Sequence, residues 1–516
     1  MLGRLGTVLC VVALAVIFQA CNGCLIECGL HPIPTRTPGT PPTSQATVLP
    51  TSSAAPASTS AGATAIASTS PAESPAPTQS SSPTLPVSSA IVVDAATIDR
   101  HLDALWSIAQ RNGGLRADTL PGYDESADYV ESQLAGFGLT VERKPFDFTF
   151  FNETSVSLRI GDASWSAPDW MHAMLYSAPG NSGGLVQTVG IEDGKSTITG
   201  ACSATDWDEF VAGRIALVMS GPCLRRDQIT LAHDAGAIAV IALYPHWESG
   251  QARRPTLLDP SGITIPAIGV GREPAEALLA AAHENGSAQV TVETDEHPAT
   301  IDNVIAERAG ATDRVVMMGA HLDSVLDGPG MNDNASGVAT VLAIAAAVAS
   351  ATQPTDTIRF GFWGAEEYGD LGSQAYVQSL PAEEMARLDS YLNLDMVGSP
   401  NPARFVYDEA GAAPGSAQIT QELLDALAGA GSAGLTTDPG GASDHYAFTL
   451  AGIPTGGVFS GLAPLTAQQA EVFGGQPGMP ADPCYHLACD TRTNVNTASA
   501  VVLGQAAANV LVERAY

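Results

Sequence analysis

Four short clusters of polar side chains, each behind an apolar run, carry the groups that could do chemistry. They read Gly-Ala-His321-Leu-Asp323-Ser, Gly-Met-Asn-Asp333-Asn-Ala-Ser-Gly, Phe-Trp-Gly-Ala-Glu366-Glu367-Tyr-Gly and Leu-Asn-Leu-Asp395-Met-Val-Gly. Hard carboxylate oxygens together with imidazole suit a divalent cation, zinc above all. In a strand-like His321-Leu-Asp323 the two side chains share a face. Asp323 is therefore expected to hold one ring nitrogen while the other binds metal. Asp333, in a glycine-flanked loop ahead of a helix, reads either as a ligand or as a helix cap. Adjacent Glu366 and Glu367 repel in a confined site unless a cation or a proton relieves them. One can bind metal while the other faces water. Asp395 lies inside an apolar run, where an unpaired carboxylate is costly; ligation or a buried hydrogen bond would account for it. Further on stands Cys484-Tyr485-His486-Leu-Ala-Cys489-Asp490, where a short disulfide loop would fix Tyr485 and His486. His445, in Gly-Ala-Ser-Asp444-His445, competes for the second imidazole role, and the tighter setting of His486 favours His486.

These clusters need elements that end at one place. Val315–Met318, Thr357–Trp363 and Ser390–Leu394 have strand character, so the polar residues behind them fall on loops along one sheet edge. Open α/β sheets build their sites on that edge. The apolar body of Asn334–Ala349 predicts a helix with Ser336 near its start. Upstream, Ala95–Gln110 and Tyr123–Gly136 have helical spacing of apolar positions, and Gly138-Leu-Thr-Val-Glu opens a strand. Between them and the site lies a region of about 155–297. It holds a strand in Gly213-Arg-Ile-Ala-Leu-Val-Met-Ser-Gly-Pro-Cys223, a helical stretch to His233, and strand candidates at Ile238–Leu243 and Ile263–Val270.

With 516 residues and 45% hydrophobic content the chain can bury more than one core. Its formal charge of -32 argues against nucleic acid, whose phosphates it would repel. Met1–Ala20 has one basic residue, Arg4, and an apolar run from Leu9 to Phe18, a signal-peptide pattern too short to span a membrane. Cys21 behind Gln-Ala resembles a bacterial lipoprotein cleavage site, so a lipid anchor at Cys21 or plain secretion is expected. From His31 to Ala90 the chain is Pro, Thr, Ser and Ala with Arg36 and Glu73 as its only charges, which predicts a disordered tether over 21–90. Cys202 with Cys223, and Cys484 with Cys489, fit disulfides of an oxidising compartment.

Trp207–Gly271 resembles the protease-associated (PA) domain, and implies a lid or substrate surface rather than chemistry. The clusters from His321 to Asp490 resemble the M28 family of co-catalytic zinc aminopeptidases, in particular its bacterial secreted branch. That resemblance implies an α/β three-layer sandwich around a mixed, mostly parallel sheet, built from 91–154 and 298–516 and interrupted by a β-rich PA domain at 155–297. It implies one zinc on His321 and Asp395, a second on Glu367 and His486, and Asp333 between them. Glu366 would be the general base, Asp323 the partner of His321, and Tyr485 the stabiliser of the oxyanion. Two cations about 3.5–4 Å apart would activate a bridging water and polarise the scissile carbonyl. The expected substrates are peptides or proteins with a free N-terminus, cleaved outside the cytoplasm. Two rivals stand beside this. A carboxypeptidase or dipeptidase with the same centre should place a basic residue near the metals. A surface binding protein on this fold would use the PA domain for recognition.

Overall fold

The computed structural model describes residues 91–191, 200–219, 223–409 and 411–516; the predicted leader and tether lie outside them. It opens with helices Ala95–Arg111 and Pro121–Gly136. The first is capped by Asp94, which accepts the Thr97 N–H at 2.9 Å. The second begins ahead of the predicted Tyr123, because Pro121 fits the first helical turn, where its missing N–H is not needed.

Strands β1 (Thr140–Ile160), β2 (Ala163–Ser166), β3 (Met171–Ala173), β4 (Gly180–Thr188), β5 (Ile215–Met219), β6 (Ala239–Leu243), β7 (Ala267–Val270) and β8 (Ser287–Arg308) come next. They are followed by β9 (Val315–His321), β10 (Thr357–Trp363), β11 (Leu388–Leu394), β12 (Phe405–Tyr407), β13 (Leu435–Thr437) and β14 (Thr455–Phe459). The ladder runs β13-β12-β14-β11-β9-β10-β8-β4-β5-β6-β7-β3. Strand β7 is shorter than the predicted Ile263–Val270, since Pro266 has no N–H to give to a ladder and pairing starts after it.

In the half that carries the polar clusters, β10, β9, β11 and β14 are mutually parallel, in register Trp363↔His321, Asn393↔Gly319 and Leu394↔Val458. Their carboxyl ends therefore meet along one edge. Alternate residues of β9 go to opposite faces. Val316, Met318 and Ala320 pack with residues of helices Ala95–Arg111, Ser336–Ser350 and Thr497–Ala515, such as Leu105, Leu342 and Leu503. Val315 and Met317 pack with Tyr376 and Phe448, from helices Leu371–Ser379 and His445–Leu450. Helix, sheet and helix make three layers, and β9 and β10, buried along their whole length, are largely apolar for that reason, with Arg359 in β10 paired to Glu307 and the Tyr376 hydroxyl. Gly319 in β9 is a packing requirement: a Cβ there would lie 2.7 Å from the Tyr391 hydroxyl and 2.8 Å from Trp363 Nε1.

The segment between β1 and β8 forms the β-rich insertion. Its strands β4, β5, β6 and β7 are parallel, and one face of β5, β6 and β7 packs on a separate core with Trp207, Val218, Val240 and Trp247. The Cys202–Cys223 disulfide, with Cα atoms 5.6 Å apart, ties this region. Strands β1 and β8 pair antiparallel from Thr140↔Glu307 to Arg159↔Gln289, with one bulge at Glu153/Ser155. This ribbon joins the inserted strands to the rest, because one end of β8 pairs with β4 and the other with β10.

Candidate active site

Each predicted ligand follows a strand or a braced loop. His321 ends β9, Glu366 and Glu367 follow β10, and Asp395 follows β11. Asp333 sits in a kinked turn before helix Ser336–Ser350, with φ -110° and ψ 88°. It is not the cap of that helix: the Asn334 side chain accepts the Gly337 N–H at 2.9 Å instead. His486 lies in the loop closed by Cys484–Cys489, at φ 58°. Ala365 and Met396, beside Glu366 and Asp395, also have positive φ, at 51° and 50°. Such backbone costs on the order of 1–3 kcal/mol per residue and gathers where surrounding structure enforces it.

The loops bring six side chains together. His321 Nε2 faces Asp333 Oδ1 at 3.1 Å, Asp395 Oδ1 at 3.3 Å and Glu366 Oε2 at 3.9 Å. His486 Nε2 faces Asp333 Oδ2 and Glu367 Oε2, each at 3.1 Å. Asp333 thus turns one oxygen to each imidazole. Asp323 stands behind His321, its Oδ1 3.4 Å from Nδ1. His445 is elsewhere: its Nε2 faces Glu409 Oε1 at 3.3 Å. The Tyr485 ring stacks on His486 with centroids 3.8 Å apart.

Burial and charge act strongly on this cluster. Burial opposes charge on His486, yet Glu367 and Asp333 overcome it and raise the imidazole to about 10. Burial raises the Glu367 carboxyl to about 7, with His486 opposing. Burial also pushes Glu366 well above the usual carboxylate range, helped by Asp395 and Asp370 and opposed by His321. Glu367 Oε1 and Asp395 Oδ1 are buried without a hydrogen-bond partner. Zinc bonds of about 2.0–2.1 Å in tetrahedral array place donor atoms about 3.3 Å apart. The separations above match that spacing. Carboxylate oxygens and imidazole nitrogens are also the donor types that zinc takes. The residues fit a cation at His321, Asp333 and Asp395, and another at Asp333, Glu367 and His486.

Around these side chains lies a frame that sequence reasoning missed. Asp323 also accepts the backbone N–H groups of Glu366 and Glu367, at 3.4 and 3.1 Å, so it pins the loop after β10 as well as the ring. Asp118 is fully buried and accepts the Ala365 N–H with both oxygens at 3.2 Å. Burial and then the Asp323 charge lift its pKa well above normal. Arg116, also fully buried, donates to the carbonyls of Leu322, Pro329 and Gly330 and so joins the His321 loop to the Asp333 loop. Asp490 accepts the N–H groups of Asn332 and Asp333. A chain of donors runs out of the core to Asp395: Trp363 Nε1 to the Tyr391 hydroxyl, Tyr391 to Asn393 Oδ1, Asn393 Nδ2 to Ser443 Oγ, and Ser443 to Asp395 Oδ2, each 2.8 Å. Of these, Asp323 had a sequence signal as the expected partner of His321, though not its hold on the Glu366-Glu367 backbone, and Asp490 had its place in the cysteine loop motif.

Two openings meet at the cluster. A pocket of about 50 Å³ lies between Asp333 and Asp395 and the apolar side chains of Met396, Tyr407, Phe459 and Leu462. A larger cleft of about 170 Å³ runs from Glu366, Glu367 and His486 to the insertion, where Trp247, Arg253 and Arg254 line it.

Residues 303–511 match the model of peptidase family M28, and residues 183–278 match that of the PA domain. An aminopeptidase of Pseudomonas aeruginosa (strain PAO1 among others) is 36% identical over 433 residues, covering 78% of each chain. A probable lipoprotein aminopeptidase of Mycobacterium tuberculosis, LpqL, is 35% identical over 410 residues, covering 77% of this chain and 80% of that one. Among solved structures, the aminopeptidase from Aneurinibacillus sp. strain AM-1 is 25% identical, with a TM-score of 0.64 over 80% of this chain and 93% of its own. A zinc aminopeptidase from Bacillus subtilis shares the fold at 23% identity and a TM-score of 0.63, covering 82% of this chain and 96% of its own.

Proposed function

The chain belongs to peptidase family M28 and is an aminopeptidase, and from that premise we propose that it is an exported enzyme working with two zinc ions. One observation carries the proposal: Asp333 presents Oδ1 to His321 and Oδ2 to His486, each at 3.1 Å. A carboxylate shared in this way serves two adjacent cations. His321 and Asp395 would complete one site, Glu367 and His486 the other. When bound, the two ions would supply Lewis-acid polarisation of the scissile carbonyl and lower the pKa of an attacking water to about 7.

The side chains do the rest. Glu366 stands at the rim shared by both openings and takes the proton of the attacking water, then returns it to the departing amine. Tyr485, held by the disulfide loop and stacked on His486, donates its hydroxyl to the developing oxyanion. Asp323 keeps His321 in orientation and the Glu366-Glu367 backbone in place. The small pocket receives the side chain of the N-terminal residue, and its Met396, Phe459 and Leu462 walls favour apolar residues. Relatives from Aspergillus fumigatus and Aspergillus oryzae carry the name probable leucine aminopeptidase 2, in keeping with such a pocket. The free ammonium would be held by the carboxylates beside it, and the remaining peptide would leave through the larger cleft.

We assign the catalytic part to 91–154 with 298–516 and the insertion to 155–297, in keeping with the family matches at 303–511 and 183–278. The lipoprotein name of the mycobacterial relative supports export and an anchor at Cys21. The test is hydrolysis of leucine p-nitroanilide beside its N-acetylated form, with metal analysis. Two zinc ions per chain and rejection of the acetylated substrate are expected. Full activity with one metal, or equal cleavage of both substrates, would overturn the proposal.

A further inference from the structure

The carboxypeptidase rival called for a basic group near the metals, and the insertion brings three arginines into the larger cleft, of which Arg225 gives its Nε to the Tyr244 hydroxyl at 2.8 Å. The other two differ in kind. Arg254 is committed: its Nη2 lies 3.2 Å from Asp327 and 3.6 Å from Glu153, so it fastens the insertion to the catalytic part. Arg253 forms no hydrogen bond or ion pair among the described residues, and its Nε, like that of Arg254, is buried without a partner. Its guanidinium carbon lies 5.5 Å from the centroid of the Tyr485 ring, on the wall of the cleft that also holds Glu366 and Glu367. In a chain with 54 acidic and 22 basic residues, a guanidinium without an acidic partner beside an acidic centre has the donors to take a carboxylate.

We propose that Arg253 is a specificity-determining residue that binds a carboxylate on the leaving side of the scissile bond. The ligand class is a short peptide whose C-terminal carboxylate, or an acidic side chain just beyond the cleaved bond, reaches the cleft wall. Placement on the leaving side rests on the proposed function, in which the N-terminal side chain enters the smaller pocket. A planar guanidinium pairs with a carboxylate through two parallel N–H···O bonds, and the nearby Tyr485 ring supports its face. The insertion would thereby select which peptides are trimmed, while the catalytic part trims them.

The test uses the full chain with its metals and compares kcat/KM for Leu-Gly-Gly with its C-terminal amide, and for Leu-Asp-amide with Leu-Asn-amide. The first pair reports a terminal carboxylate, the second an acidic side chain. In one pair at least, the wild type should favour the acid by about 10-fold or more, the size expected of a charge-assisted hydrogen bond. Arg253→Gln should abolish that preference, Arg253→Lys should restore part of it, and Arg253→Gln should leave leucine p-nitroanilide turnover within about twofold. Leucine p-nitroanilide carries no carboxylate, so its hydrolysis by the wild type reports the aminopeptidase reading separately. A wild type indifferent in both pairs, or a preference that survives Arg253→Gln, overturns the assignment. So does an equal loss on all substrates in Arg253→Gln, which would make Arg253 a support for Tyr485 instead.

Discussion

Arg116 and Arg253 both stand near the same carboxylate cluster, and they are used in opposite ways. On the floor of the cleft Arg116 is buried and gives its donors to three carbonyls of the protein. On the wall contributed by the insertion Arg253 is half-buried and gives its donors to nothing in the described chain. The floor is saturated: Asp118, Asp323 and Asp490 each hold backbone N–H groups in place, and Ser443 holds Asp395. Metal and chemistry require that rigidity, since a ligand displaced by a fraction of an ångström no longer fits the ion. The wall carries apolar surface and one uncommitted charge, as suits a surface that meets a variable ligand. Division of labour between two parts of one chain is thus written in how many of their donors are already occupied.

That contrast can be broken most forcefully at Glu366. Glu366→Ala should reduce leucine p-nitroanilide turnover by about 10³-fold or more, the scale of general acid–base catalysis, with zinc content nearly unchanged. Glu367→Ala should lose zinc, and equal loss of metal in both variants would show the division of roles between the two glutamates to be wrong. One step out, Ser443→Ala removes the donor to Asp395 Oδ2. Competition with a chelator should show zinc held about 10- to 100-fold more weakly; unchanged affinity would mean that the donor chain from Trp363 merely fills space. The smallest effect belongs to the wall. Replacing both Cys202 and Cys223 by serine removes a link of 21 residues in the insertion and should lower its stability by about 2–4 kcal/mol. Turnover of leucine p-nitroanilide should stay within about twofold, and a collapse of that activity would show that the floor depends on the wall after all.

The candidate site could be picked out in the sequence for a definite reason. His321 ends a buried strand, and Glu366, Glu367 and Asp395 each follow one by at most a few residues, so an apolar run and then a polar group mark a strand end and a candidate site together. Tyr485 and His486 were legible because two cysteines bracket them. Arg116, Asp118 and Ser443 gave no such sign. Arg116 meets Leu322 across 206 positions and Asp118 meets Ala365 across 247, and nothing in their own neighbourhoods distinguishes them from surface polar residues. Asp333 read equally well as a helix cap until the kinked turn gave that role to Asn334. Arg253 was invisible for another reason: what matters about it is the lack of a partner, and a lack of partners cannot be read from a chain that has not been folded.

The ribbon of β1 and β8 has a consequence for how the molecule comes into being. Thr140 must find Glu307, and Arg159 must find Gln289, so the ribbon closes only after the whole insertion has been synthesised. Closing so long a loop costs entropy unless the intervening chain has already condensed. Strands β5, β6 and β7, which pair in order with one another, can condense first and draw the two ends together. The wall formed by the insertion would then be in place before the catalytic floor exists, and a nascent chain would lack the imidazole of His486 until the Cys484–Cys489 loop had been made.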